Sequence, residues 1–289
     1  MKSKLINFLV FFFLCVPFTQ GQDGVAVVSG KWERALRSGT PLRLYMVADG
    51  NFVEVASSSI TADNMFYFAC KPEPEGFYYI GVNPQPTNRF TIYLKRGDRL
   101  DMTITSNSWH FNGNVSVENR ELKKWHEFVE TIEQRAIYFQ RFNSTFRDFF
   151  PALEEKYEEL KKYPSSNTGN KIFDRKFDSY KKLDFTAMAL AYMFAPRGVH
   201  PKAEDFPKYY HNLEIPDFAK TTELMNYPAG VNMIDRILFV KGMATGTPTR
   251  DPATIIMENI DSLIPNDTIK GELTVRFAAN RFQVSRHQW

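Results

Sequence analysis

The side chains best suited to hold a metal ion are His200, Glu204, Asp205 and His211. Imidazoles and carboxylates are suitable donors, but a site needs them to converge within about 2 Å of the ion. Spacings of four, one and six residues in a Pro-rich stretch do not impose that convergence. Glu154, Glu155, Glu158 and Glu159 are carboxylates of the acid/base type, yet they fall on the polar face of a helix with no evident cleft. His126 sits beside Trp125 on a helical run and reads as an imidazole flanking a helix. The sequence contains no G-x-S-x-G elbow, H-E-x-x-H pair, G-x-x-x-x-G-K-[ST] loop or G-x-G-x-x-G turn. No catalytic, cofactor-binding or metal-ligating residue is therefore assigned, and no cofactor is expected.

Sulfur chemistry is equally sparse. The chain has two cysteines, Cys15 and Cys70, and no C-x-x-C motif. Cys15 lies in an N-terminal stretch expected to be removed, so Cys70 has no internal partner. In Phe66-Tyr67-Phe68-Ala69-Cys70 it shares a strand face with Phe66 and Phe68 and is expected to pack as a small hydrophobe.

Lys2 and Lys4 precede an apolar run from Leu5 to Val16, and Pro17, Thr19 and Gly21 follow. This layout predicts a secretory signal peptide over residues 1–21, cut after Gly21. The run is too short to span a bilayer, which needs roughly 20 residues. Phe12, Phe13 and Leu14 before Cys15 disfavour a lipid anchor, whose signal wants a small residue there. No later stretch is long and apolar enough to cross a membrane, so the mature chain is expected to lie in the periplasm or elsewhere in the cell envelope. The 36 basic and 33 acidic residues nearly balance, which gives no footprint for nucleic acid. The pairs Lys123-Lys124, Lys161-Lys162 and Lys181-Lys182 read as solvated helix faces. Sequons begin at Asn114, Asn143 and Asn266 and matter only in a pathway that glycosylates.

The elements change character at about residue 114. Before it, the strand candidates are 25–32, 42–47, 52–57, 65–71, 77–82, 89–95 and 99–105. Leu42, Leu44 and Met46 alternate with Arg43 and Tyr45; Leu100, Met102 and Ile104 alternate with Asp101 and Thr103. Asp49-Gly50 and Arg96-Gly97-Asp98 supply hairpin turns. The dense aromatics from Phe66 to Tyr79 are expected to fill a sandwich core and its seam with a neighbouring module, rather than to line a sugar- or peptide-binding face. After Asn112-Gly113-Asn114, Ser116 is placed to cap a helix over 117–142, with Leu122, Trp125, Val129, Ile132, Ala136 and Phe139 as one apolar stripe. Further helices are expected from near Asp148, over 171–194, 231–241, 252–263 and 267–282, with an ordered connecting segment over 196–230. The fold class is thus α+β: an antiparallel β-sandwich over residues 22–114 followed by a helical module over 115–289.

This layout resembles the N-terminal portion of the TlpA-like thiol–disulfide oxidoreductases of bacterial cell envelopes. The matching residues are Val27-Val28-Ser29-Gly30, Pro41-Leu42-Arg43-Leu44-Tyr45, the hairpin from Phe90 to Thr105 with its Gly97-Asp98 turn, and Asn112-Gly113 with Glu118-Asn119 and Leu122. The resemblance implies a signal, a β-sandwich domain of unknown function and a helical linker. Relatives then carry a thioredoxin domain with a Trp-Cys-x-x-Cys site, a motif this sequence lacks. Thiol–disulfide exchange needs an attacking and a resolving cysteine, so the redox role passes to no residue here. The expected function is that of a non-catalytic exported protein binding an envelope protein or a small ligand. The alternative is the front part of a truncated or split TlpA-type oxidoreductase.

Overall fold

The computed structural model describes residues 24–286 apart from 38, 107, 142–143 and 248–250. The expected leader at 1–21, Cys15 and Asn143 lie outside the described residues. Eight strands come first: β1 (Ala26–Trp32), β2 (Leu42–Ala48), β3 (Asn51–Ser58), β4 (Met65–Cys70), β5 (Gly76–Gly81), β6 (Arg89–Leu94), β7 (Arg99–Ile104) and β8 (Trp109–Asn112). They form two four-stranded sheets, ordered β4-β1-β7-β8 and β3-β2-β5-β6. The inward residues Val28, Leu44, Phe66, Ile80, Ile92 and Met102 build a core between them.

Two details differ from the sequence reading. First, β1 and β7 pair in parallel, with Val28 opposite Leu100, while every other neighbouring pair is antiparallel. The chain reaches β7 only after passing through the other sheet, so no hairpin dictates the direction of that pair. The pairing is close at Gly30, where an added Cβ would meet Met102 O at 2.0 Å. Second, β8 is a strand where only a junction is expected. Its Trp-His-Phe-Asn run is too short to show alternation, and β7 gives it a ladder partner.

Ser116 caps α1 (Val117–Ala136) as the sequence indicates, its hydroxyl accepting from Asn119 N. The helix stops earlier than expected, and Phe139 belongs to a separate 3-10 turn, Phe139–Arg141. Next come α2 (Phe146–Leu160), with a Thr145–Asp148 capping box, and α3 (Lys171–Phe194), capped by Asn170. Short turns and α4 (Lys208–His211) lead to α5 (Gly230–Thr245), α6 (Pro252–Glu258), α7 (Ile260–Leu263) and α8 (Asp267–Arg286). The expected single helix over 252–263 is divided at Asn259. None of the described helices is long and apolar enough to cross a membrane.

Sandwich and helices share an aromatic seam. Phe77 stacks on Tyr180 at 4.5 Å, and Tyr93 meets Phe173 edge-on at 4.8 Å. Asn119 acts as a substitute strand at the edge of β6: its Oδ1 accepts from Tyr93 N and its Nδ2 donates to Tyr93 O, both at 2.8 Å. The amide thus satisfies two buried backbone groups that an edge strand would otherwise leave unpaired. At the other end, the Asp49-Gly50 turn docks on the helices: Gly50 N donates to Met225 O, Ala229 N to Gly50 O, and Arg276 to Asp49 O. Phe66, Phe68 and Tyr78 lie in the sandwich core and Phe77 and Tyr79 at the seam, as the sequence suggests, while Tyr67 stays exposed.

Candidate functional site

The residues considered first do not assemble. His200, Glu204, Asp205 and His211 are all exposed, and no group of metal-holding side chains occurs among the described residues. Asp205 instead accepts from Lys202 N. Glu154 is not simply a solvated face residue, since its Oε1 accepts from Tyr209 N at the start of α4. On the same face Lys156 pairs with Glu159 and Lys161 with Glu158, each three residues apart. Cys70 is half-buried against the sandwich core, and burial pushes its thiol above the ordinary value.

The structure assembles a different set. A cavity of about 450 Å³ opens where β6, α1 and α3 meet, within the size range of small-ligand sites. Two helix faces build its walls. On α1, Leu122, Trp125, His126, Val129 and Glu133 recur every three or four residues, so the apolar stripe carries His126 and Glu133 along one edge. On α3, Tyr180, Asp184, Ala187, Met188 and Ala191 follow the same period, and the two alanines leave the space open. The sandwich contributes Arg34 after β1, Arg89 and Phe90 of β6, Phe52 of β3 and Trp109 of β8. Tyr138, Arg141, Tyr227 and Arg236 complete the lining from the helical side.

Enclosure shifts the ionisable groups on the inner walls toward their neutral forms. His126 has its pKa lowered to about 4, by burial first and then by Lys123. Glu133 is raised to about 8, chiefly by burial, with Asp184 and Glu130 adding to the effect and Lys123 and Arg89 opposing it. Their Nδ1 and Oε2 atoms approach to 3.2 Å, but the pair is not an ion pair at neutral pH, since both groups are mostly uncharged there. Among the described residues, buried Glu133 Oε2 has no hydrogen-bond partner. Asp184 is better satisfied, accepting from Trp125 Nε1 and from Tyr227 OH, each at 2.8 Å. Burial nonetheless lifts its pKa, against the pull of those two donors and of Arg89.

The cations around the cavity are less well matched. Arg89 donates to Pro84 O and lies 5.1 Å over the Phe52 ring and 5.7 Å over Tyr79. Arg34 donates to Thr87 O and lies 5.6 Å from the rings of Trp32 and Phe90. Neither forms an ion pair with a described residue, whereas Arg43, Arg96 and Arg276 each do. Sequence reasoning missed this site because it treated His126 as a flanking group. The available signal was His126 and Glu133 seven residues apart beside an apolar stripe, together with Asp184 interrupting the apolar face of α3. No protein-family model matches this chain, and no curated protein sequence matches it either.

Proposed function

We propose that this chain is an exported, non-catalytic binding protein of the cell envelope that holds a small ligand in the seam cavity. The observation that carries the reading is the cavity itself: about 450 Å³, walled by aromatic rings and lined by both the sandwich and the helices. Ligand pockets typically have this construction, an apolar enclosure with a few placed polar groups, and often form where structural units meet. The N-terminal basic and apolar pattern supports export. Cys70 is the one free cysteine among the described residues, and its raised pKa is the reverse of what an attacking thiolate needs, so no redox step is assigned to it.

The test uses the processed chain and a small-molecule collection, read by thermal shift and by the fluorescence of Trp109 and Trp125, which both line the cavity. Ala191→Phe places a ring in the cavity and is expected to abolish every shift seen with the wild type. Hits that bind the filled variant equally well would refute the cavity as the binding site. Recovery of the protein in the cytosol with residues 1–21 intact would refute export.

A further inference from the structure

We infer that the seam cavity takes a ligand with an oxyanion head, a carboxylate or phosphate ester, on an aromatic or similarly apolar body, with Arg34 and Arg89 holding the head. This inference rests on the seam cavity being a binding site. The argument begins with charge. Arg34 and Arg89 come from separate parts of the sandwich, line one cavity and are half-buried, yet neither meets a carboxylate within ion-pair distance among the described residues. Arg141 and Arg236 add two further cations to the lining. Burial lowers the pKa of the Arg34 guanidinium, and Arg141 lowers it further, so two like charges lie within each other's field. The Arg34, Arg141 and Arg89 guanidiniums all lower the pKa of the Tyr138 phenol, against the upward push of burial and Glu133.

Burial shifts the lining acids Glu133 and Asp184 toward their neutral forms, which weakens their hold on the Arg34 and Arg89 charges. Glu133 is predominantly protonated at neutral pH, and Asp184 is shifted in the same direction. A half-buried guanidinium offers a planar fork of donors that matches an oxyanion, and charge-assisted hydrogen bonds to it are the stronger kind. The rest of the wall suits an apolar body: Phe52, Phe90, Trp109, Trp125, Tyr180 and Tyr227 present rings from both halves of the molecule.

The probes are 2-naphthoate, 2-naphthyl phosphate and neutral 2-naphthamide, titrated calorimetrically into the full mature chain at low and high salt. At least one anion is expected to bind about tenfold more tightly than the amide, the scale of one charge-assisted hydrogen bond. Arg34→Gln and Arg89→Gln are each expected to shrink that preference, and Ala191→Phe to remove binding of all three probes. The two acidic probes also separate a carboxylate head from a phosphate head. If the amide binds as well as both anions and Ala191→Phe abolishes that binding, the oxyanion head is refuted while the cavity stands. If no probe binds, or binding survives Ala191→Phe, both readings fall. The preference in the wild-type chain decides the matter even if an arginine variant does not fold.

Discussion

Glu133 is the side chain whose burial costs the fold most visibly. Its neighbours are His126 and Glu130 on its own helix, Asp184 from α3, Arg89 from β6, and Tyr138 beyond the helix end. Well below its ordinary value of 4.5 the carboxyl is protonated in both the folded and the unfolded chain, and its ionisation makes no contribution to stability there. Between 4.5 and about 8 the unfolded chain has released the proton and the folded chain retains it, so stability falls as pH rises; above about 8 the penalty is constant. Glu133→Gln is therefore expected to stabilise the protein, by an amount that grows between about pH 5 and 8 and reaches on the order of a few kcal/mol. Urea titrations of both forms across that range check this, and equal stability at the alkaline end would contradict it. His126 acts in the opposite sense. Its pKa is depressed from 6.5 to about 4, so its contribution is present above 6.5 and is lost as pH falls toward 4.

Among the elements, the contact between β6 and α1 shows how one residue joins strand chemistry to a helix. Asn119 is buried and makes both backbone bonds of Tyr93, while Glu118 beside it pairs with Lys95 at 2.7 Å. Asn119→Leu keeps the volume but leaves a buried N–H and a buried C=O unpaired, each costing roughly 1–3 kcal/mol. Asn119→Asp retains an acceptor for the N–H, and its carboxyl replaces the lost donor only while it is protonated. Chemical denaturation at acidic pH is expected to rank wild type above Asn119→Asp and that variant above Asn119→Leu. A Leu variant as stable as the wild type would mean that the edge of β6 is satisfied in some other way. The Ser116 cap was legible in the sequence because capping is a local matter. The pairing of Asn119 with Tyr93 was not, because the partners are 26 residues apart and an asparagine in a first helical turn looks like any other.

The molecule as a whole is held together by rings that belong to both modules. Phe173 is fully buried and touches Phe77 and Tyr93 of the sandwich as well as Phe177 of its own helix. Truncating it to Ala is expected to cost about 3–5 kcal/mol and to separate one cooperative unfolding transition into two, because the seam loses its central ring. Calorimetry distinguishes the outcomes, and a single undiminished transition would show the modules to be joined elsewhere. The sequence by itself determined the order of elements, the change from period two to period three-to-four near residue 114, seven of the eight described strands and the span of α3, since periodicity and capping are carried by neighbours along the chain. Only the tertiary structure decided the parallel pairing of β1 with β7, the strand status of β8 and the cavity. Its lining comes from segments between Arg34 and Arg236, and its chemistry depends on burial, which leaves His126 and Glu133 largely uncharged at neutral pH. Burial depends on how distant surfaces pack, and no local spacing of residue types encodes it.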